Sequence, residues 1–192
     1  MPEDLVIDRP RLPTVDDALA LGLTRGEYEL VCEKLGRAPN RLELAVFSLL
    51  WSEHCAYKHS RRLLPGALLG NLNRRFTFRQ LQLQVANADT AFTRTCTEGE
   101  RLSIPAKHAW GRYYAAEETL QAIERGGQVL LRYAPGHNFN GSAHDIAGVM
   151  NEAGNVFGLM PHPEHAVDPL TGSSDGLKLF ESMRLSVEGV HA

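Results

Sequence analysis

QVLLRYA, residues 128–134, is the segment that most limits how this chain folds. It is a short, nearly continuous apolar run without polar alternation, which is typical of a strand buried on both faces in a parallel sheet. RLSIP, residues 101–105, predicts another strand, and residues 115–125 predict a helix with Leu120 and Ile123 facing inward. Strands that alternate with helices indicate an α/β fold.

The segments on either side extend this pattern. DIAGVM and NVFGLM flank NEAG and predict a β-hairpin over residues 145–160. DGLKLFESM, residues 175–183, predicts a last helix capped by Asp175. In RRFTFRQLQLQVAN the apolar phase changes between Phe78 and Leu81, which predicts a bulge or a short turn within β structure.

The first 62 residues have a different, helical character. Residues 1–14 predict an irregular arm, and residues 16–21 a short helical stretch. Capping-box signals then start two helices, Thr24 with Glu27 and Asn40 with Glu43. The expected apolar stripes are Tyr28, Val31, Cys32 and Leu35 in the first helix, which ends at Gly36, and Leu42, Ala45, Val46, Leu49 and Leu50 in the second. A segment of this length buries little hydrophobic core by itself. We therefore expect this part of the chain to pack on a larger body.

Bulk properties exclude several classes of protein. A net charge of −3 argues against nucleic acid as a main partner. No apolar run approaches the length of a membrane span, and the start of the chain lacks a signal-peptide core. The three cysteines, without a C-x-x-C motif, predict no disulfide framework and a cytosolic location.

A cluster of polar residues follows the second helix. The stripe projects His54 near the buried face at the helix C-terminus, where a cation is favoured by the helix dipole. His54 is therefore either a capping or partly buried histidine, or part of a catalytic or phosphate-facing cluster with Tyr57, Lys58 and His59. Metal binding by His54, Cys55 and His59 is a third interpretation, although no further ligand pair has metal spacing.

MPHPEH, residues 160–165, is the second candidate for chemistry, because it directly follows an apolar strand. Pro161 and Pro163 forbid helix and are expected to hold the chain extended, and in an extended chain residues two apart point the same way. His162 and Glu164 then project together as the base and orienting group of a nucleophile–base–orienter triad. A proline-rich surface loop is the alternative interpretation.

The stretch LGLTRGEYELVCEKLGRAPNRLELAVFSLLWSEHCAYKHSRR, residues 21–62, resembles the N-terminus of the synthetase subunit of phosphoribosylformylglycinamidine synthase. That enzyme family amidates formylglycinamide ribonucleotide with ATP and glutamine in purine biosynthesis. The resemblance implies that His54 is an active-site residue and that Tyr57 contacts ATP, with Ala56 where serine is usual. It implies ATP and magnesium for the whole enzyme, but the segments that carry the magnesium ligands do not follow Arg62, so neither can be assigned to this chain.

The rest of the chain resembles the C-terminal part of the glutaminase subunit of the same enzyme. LLPGALLGN, IPAKHAWGRYYA, NFNGSAHDIAGVMNEAGNVFGLMPHPE and GSSDGLKLFESM carry this resemblance, over residues 63–185. It implies a class I glutamine amidotransferase in which His162 and Glu164 are the triad histidine and glutamate. Ala109 and Trp110 replace a Gly-Glu pair of the family, in a predicted surface loop near the subunit contact.

The family's catalytic thiol sits in a Gly-x-Cys-x-Gly elbow, and none of the three cysteines of this chain has such neighbours. The resemblances therefore imply an α/β chain with two parts. Residues 1–62 form a synthetase-like helical segment, and residues 63–192 an incomplete, doubly wound glutamine amidotransferase domain without the nucleophile elbow, joined at Leu63–Leu64. The implied partners are glutamine, formylglycinamide ribonucleotide, the synthetase subunit and a small accessory subunit, with no nucleic acid and no membrane.

Two alternatives to this glutaminase function stay open. The chain is then either a non-catalytic subunit-interaction module or a non-functional fusion fragment. Because the first strands of the sheet are missing, we expect QVLLRYA to lack a neighbour, to expose an edge and to leave the domain marginally stable.

Overall fold

A computed structural model describes residues 11–52, 57, 58 and 60–189. The chain forms two compact units, residues 1–60 and residues 61–192. The helices are α1 (Val15–Ala20), α2 (Arg25–Leu35), α3 (Arg41–Leu50), α4 (Ser60–Leu63), α5 (Glu117–Arg125) and α6 (Leu177–Glu188). The strands are β1 (Ala67–Gly70), β2 (Thr77–Val85), β3 (Arg101–His108), β4 (Trp110–Tyr114), β5 (Val129–Tyr133), β6 (Ile146–Met150) and β7 (Phe157–Leu159).

Both capping boxes of the first unit are confirmed. The backbone N–H of Glu27 donates to Thr24 Oγ1 at 3.3 Å, and the Glu27 carboxylate accepts from the Thr24 N–H at 2.7 Å. Asn40 and Glu43 make the same reciprocal pair at the start of α3. Gly36 ends α2 in the left-handed conformation, as predicted.

The prediction that the apolar stripe of α3 is its buried face is wrong. Leu44, which lies off that stripe, is buried with Ala18 and Leu23, and Tyr28 and Trp51 pack against this cluster. The side chains of the stripe are exposed instead, Leu42 at 74% and Leu49 at 63%. The reason is that the short helix α1 offers little apolar surface, and a single leucine of α3 fills it.

The second unit is built on a five-stranded sheet with the order β3-β2-β5-β6-β7 and a two-stranded sheet of β1 and β4. Residues 128–134 do form a strand, β5, in which Leu130 and Leu131 are fully buried. The α/β class is confirmed, and the five-stranded sheet packs with short helices.

The parallel pairing expected of β5 is wrong, because both its neighbours, β2 and β6, run antiparallel to it. All described strand pairs are antiparallel, so the parallel ladders of a doubly wound sheet are not found among the described strands. The exposed edge predicted for β5 is also wrong, because β2 pairs with one side of this strand and β6 with the other. A continuous apolar run reports burial of both faces and carries no information about strand direction.

Two local β-strand predictions were tested in this unit. The hairpin is confirmed: β6 pairs with β7 from Gly148↔Leu159 to Met150↔Phe157, and the side chain of Asn151 organises the turn. The bulge near Phe78 is wrong, since β2 pairs with β3 in unbroken register over eight residue pairs. The change of apolar phase there marks instead the end of the buried part of β2, where residues 78–80 are exposed.

The helical predictions were partly confirmed. Leu120 and Ile123 of α5 are buried, as expected, with Val129 of β5. Asp175 does not cap α6, which begins after Gly176. Its carboxylate accepts instead from the backbone N–H of Ser103 at 2.7 Å, because this hydrogen bond to β3 competes with the local cap.

None of the helices in the described part of the chain combines the length and the apolar character needed to cross a membrane.

Candidate active site

The segment that carries the predicted dyad leaves the end of β7 and turns immediately. His162 is extended, with φ −102° and ψ 90°, and Pro163–His165 form one turn of 3₁₀ helix. The expectation that the prolines keep the whole segment extended is therefore wrong. Pro163 occupies the first helical position, where its fixed φ fits and its missing N–H would have no partner within the helix. The His162 N–H donates to the carbonyl of Pro105 at 2.8 Å, which anchors the turn on β3.

The two side chains nevertheless project together, as predicted. His162 Nδ1 lies 2.6 Å from Glu164 Oε1. A carboxylate can only accept, so Nδ1 is the donor and Nε2 is left as the basic nitrogen. The His162 side chain is 12% exposed and that of Glu164 is 50% exposed, so a largely buried ring is held by a carboxylate that reaches water.

The electrostatics of Glu164 favour its charged form. Burial alone would raise the pKa of Glu164, but the hydrogen bond from His162, a backbone hydrogen bond, and the charges of His162 and His165 together outweigh it and lower the pKa. An ionised carboxylate is what an orienting group needs in order to fix the tautomer of an imidazole.

Two further residues extend the dyad, and the sequence analysis missed both. His165 Nε2 lies 3.7 Å from the same oxygen of Glu164. Lys107 of β3 lies against this ring, with Nζ 2.7 Å from His165 Nδ1 and 3.2 Å from His165 Nε2. His165 is next to Glu164 in the sequence and was open to inspection, whereas only the tertiary fold brings Lys107 to it.

A buried histidine, His108, lies at the end of β3. Asn71 fixes its tautomer: the Asn71 amide nitrogen donates to the carbonyls of Arg75 and His108, so Asn71 Oδ1 is the acceptor and His108 Nδ1, 3.2 Å away, is the donor. His108 Nε2 is buried and has no hydrogen-bond partner among the described residues. Burial, and then the charge of His162, lower the pKa of His108 to about 4, so the ring is neutral at neutral pH.

The loop predicted around Ala109 and Trp110 is wrong. Ala109 alone separates β3 from β4, and Trp110 already pairs with Gly70 of β1. The Trp110 indole N–H donates to the carbonyl of Leu68 at 3.2 Å. The residues that replace the Gly-Glu pair of the family therefore belong to a strand connection.

The structure describes only part of the polar cluster predicted after α3, namely Tyr57 and Lys58. His54, Cys55 and His59 lie outside the described residues, so the prediction for His54 and the metal interpretation stay predictions. Tyr57 is described, with a positive φ of 50°. Lys58, a member of the predicted phosphate-facing cluster, forms an ion pair with Glu27 at 3.1 Å. Among the described residues, no group of three histidine, cysteine or acidic side chains could hold a metal ion.

Neither described cysteine has the surroundings of an activated thiol. Cys96 packs in the large core of the second unit. Burial, and then the charge of Glu100, raise the pKa of the Cys96 thiol, which is the opposite of what a nucleophile requires. Cys32 is half-buried on α2 in the first unit.

Comparisons with known proteins identify the family of most of the chain. Residues 54–184, well over half of the chain, match the model of the CobB/CobQ-like glutamine amidotransferase domain. The chain belongs to this glutamine amidotransferase family. Residues 12–58 match the model of the formylglycinamide ribonucleotide amidotransferase linker domain. Both resemblances inferred from the sequence are thereby confirmed.

Several curated relatives are named phosphoribosylformylglycinamidine synthase subunit PurQ. The protein of Chelativorans sp. (strain BNC1) is 54% identical over 121 residues, which cover 63% of this chain and 54% of that protein. The protein of Thermus thermophilus is 51% identical over 123 residues, with 62% and 54% covered. The chain thus spans about half the length of the curated relatives it matches.

A solved structure, PurLQS from Thermotoga maritima, is similar to this chain with a TM-score of 0.59. The two are 35% identical, and the match covers 88% of this chain and 71% of that one.

Proposed function

We propose that this chain supplies the histidine and glutamate of a glutaminase site in phosphoribosylformylglycinamidine synthase. The observation that carries the proposal is the 2.6 Å contact between His162 Nδ1 and Glu164 Oε1 in a glutamine amidotransferase domain. The shared name of the relatives supports the choice of this synthase over other amidotransferases.

In this proposal His162 is the general base and acid, and Glu164 is its orienting group. With Nδ1 bound to the carboxylate, Nε2 takes the proton of an attacking thiol and returns it to the ammonia that leaves the side-chain amide of glutamine. Glu164 stabilises the imidazolium that forms between these two steps. Glutamine is therefore the proposed substrate of this half of the enzyme.

None of the three cysteines of this chain lies in the Gly-x-Cys-x-Gly motif that supplies the catalytic thiol in the family. Cys96 lies in the core with a raised pKa, and Cys32 lies in the first unit. Members of a catalytic triad act as a unit, so the base without its thiol gives almost no rate enhancement. We therefore propose that the 192-residue chain alone does not hydrolyse glutamine.

An ammonia-release assay tests this. The chain and its His162→Ala variant are incubated with glutamine, and we expect the same background rate from both. Ammonia release that disappears in the His162→Ala variant would show that a working nucleophile is present after all.

The ATP-dependent half of the reaction belongs, in this proposal, to a synthetase partner that binds formylglycinamide ribonucleotide. His54 as an active-site residue and Tyr57 as an ATP contact rest on the resemblance of residues 21–62. The described residues do not fit an ATP–magnesium site, because no acidic trio is present among them and Lys58 is paired with Glu27. ATP and magnesium are therefore assigned to the partner, and a small accessory subunit and a cytoplasmic location are part of the same proposal.

Binding to a synthetase subunit tests the assignment of partners. Isothermal titration calorimetry of the chain against an intact synthetase subunit should detect a complex at micromolar concentration. The absence of heat at that concentration, from a chain with dispersed NMR signals, would contradict it.

A non-catalytic subunit-interaction module is the second candidate. It is favoured by the absence of a suitable thiol among the described residues, Cys32 and Cys96, and by the exposed apolar side chains of α3. Complex formation without ammonia release, in the presence of glutamine and all other substrates, would support it. Collapsed NMR amide dispersion would instead indicate a non-functional fusion fragment.

A further inference from the structure

We infer that the first half of β2 is a docking edge for an extended, acidic segment of a protein partner. The inference goes beyond the proposed glutaminase role, because it concerns binding at a different strand from the one that leads to His162. Two observations carry it. The backbone N–H and C=O groups of Phe78 and Gln80 have no hydrogen-bond partner among the described residues, and unpaired arginine side chains surround them. We call the backbone from Phe78 to Gln80 the open edge of β2.

The pairing of β2 with β3 shows which way the backbone of Gln80 points. Gln80 pairs with Pro105, and a proline has no N–H to donate across the ladder. The Pro105 carbonyl accepts instead from the His162 N–H at 2.8 Å, on the side of β3 away from β2. The Gln80–Pro105 pair therefore exchanges no hydrogen bonds, and the N–H and C=O of Gln80 point away from β3.

Gln82 gives the same direction two residues later. Its carbonyl accepts from the Ala134 N–H at 2.9 Å, just beyond the end of β5. Backbone groups of alternate residues in a strand point to the same side, so those of Phe78 and Gln80 also face the side of β5. Among the described strands, however, β5 pairs with β2 only at residues 83–85, so no strand lies beside the open edge.

The surroundings of the open edge are apolar and positively charged. Phe76 and Phe78 are 67% and 69% exposed. Arg74, Arg75 and Arg79 are exposed as well, and in the described part of the chain their side chains have no ion-pair or hydrogen-bond partner. The whole chain has a net charge of −3, so this positive charge is local. Aromatic and arginine side chains are enriched in protein–protein interfaces, and a positive patch favours an acidic partner.

A second copy of the chain does not fit this edge. To pair all of the open backbone groups, two copies must place Phe78 of each opposite Gln80 of the other, and Arg79 then lies directly opposite the same arginine of the other copy. Like charges in that position are destabilising. A nucleic acid would neutralise the arginines but has no peptide groups to pair with the edge.

An extended peptide satisfies both the backbone and the charges by β-strand addition. Phe78 and Arg79 lie on opposite faces of β2, because successive side chains of a strand alternate. A peptide with a carboxylate opposite Arg79 and apolar side chains opposite Phe78 and Gln80 therefore matches the open edge. The matching sequence alternates acidic and apolar residues.

Fluorescence anisotropy of a labelled peptide, titrated with the full chain, tests this binding. The probe is the peptide Glu-Val-Glu-Val-Glu-Val, and the charge control is Lys-Val-Lys-Val-Lys-Val. We expect saturable binding of the glutamate peptide with a Kd below about 1 mM, and no binding of the lysine peptide. Arg79→Gln should weaken binding about two- to fivefold, the size of one exposed ion pair. Arg101→Gln, which removes an equal charge at the far end of the β2–β3 ladder, should leave the Kd unchanged.

Methylated peptides test whether backbone hydrogen bonds hold the probe. With a glutamate opposite Arg79, the valines lie opposite Phe78 and Gln80, so the valine N–H groups face the open edge. N-methylation of the valines should abolish binding, and N-methylation of the glutamates should not. Amide hydrogen exchange at Phe78 and Gln80 should slow in proportion to the fraction bound. The Arg79 N–H faces β3 and should not change.

Three results would overturn the inference. If the glutamate peptide does not bind, or binds equally well with methylated valines, the edge does not accept a strand. If Arg79→Gln leaves the Kd unchanged and makes the chain self-associate in analytical ultracentrifugation, the arginine only guards the edge against self-pairing. If labelled oligouridine binds more tightly than the glutamate peptide, the surface recognises phosphate. The ammonia-release assay with His162→Ala does not depend on any of these results, so the proposed function is tested separately.

Discussion

Gly111 is a position where one methyl group should distort the surroundings of the candidate site. A Cβ atom built on Gly111 would lie 2.6 Å from His108 Cε1, 2.6 Å from His108 Nδ1 and 2.6 Å from the terminal methyl of Met160. Carbon atoms in optimal contact are about 3.5–4.0 Å apart, so each neighbour must move by about 1 Å. The Met160 methyl is the end of a flexible side chain, and its displacement costs little.

The His108 ring has no such freedom, and this sets the magnitude. Its Nδ1 donates to Asn71 Oδ1, and its ring packs 5.2 Å from the ring of Phe139. Overpacking a tight core costs about 1–3 kcal/mol. If the displaced ring also loses Asn71, a buried acceptor is left unpaired, which costs about 1–3 kcal/mol more. We expect Gly111→Ala to reduce the free energy of unfolding of the second unit by about 2–6 kcal/mol.

Urea denaturation followed by circular dichroism measures this loss. Gly70→Ala is the matched control, because the same methyl there meets the Trp110 ring at an ordinary 3.4 Å. We expect that control to change the free energy of unfolding by no more than about 0.5 kcal/mol. Equal stability of the two variants, with unchanged denaturant slopes, would refute the reasoning that His108 is immobile.

Three further outcomes are expected. Burial lowers the pKa of His108 from 6.5 to about 4, so the neutral ring contributes about 3 kcal/mol to the free energy of unfolding. This contribution is fully present above about pH 6.5 and is lost as the pH falls to about 4. His108→Gln keeps a donor for Asn71 and should make the free energy of unfolding in urea nearly independent of pH over that window. Leu131→Ala should cost about 2–5 kcal/mol in the same assay, since this side chain is fully buried in β5, and a loss below about 1 kcal/mol would contradict the burial of the sheet face that carries Leu131. Thr24→Ala should cost the first unit about 0.5–2 kcal/mol in thermal unfolding, whereas Thr24→Ser, which retains the cap, should cost clearly less.

Signals that are satisfied within a few residues were predicted correctly from the sequence. The capping box at Thr24 needs only the backbone of Glu27, and the turn after β6 needs only the side chain of Asn151. The His162–Glu164 contact is of the same kind, because both side chains belong to one turn. Local geometry decides such features, so the sequence is sufficient to find them.

Features that depend on a distant partner were not predicted correctly. The direction of the neighbours of β5 is decided by the topology of the whole sheet, and an apolar run is the same in a parallel and an antiparallel setting. Asp175 has the sequence signature of a cap but is bound by Ser103, 72 residues away. Lys107 could not be connected with the site for the same reason, because β3 and the 3₁₀ turn meet only in the folded unit.

The contacts that hold the dyad bear on how a thiol could complete it. His162 is anchored by the carbonyl of Pro105, and the start of α6 is tied to the same strand through Asp175 and Ser103. Every one of these contacts lies within the second unit, and none involves a cysteine. The proposed base and its proposed orienting group are therefore held in place by β3 in the absence of a nucleophile. Since a preorganised base costs no reorganisation when a thiol arrives, the element that supplies the thiol has only to place its sulfur near His162 Nε2.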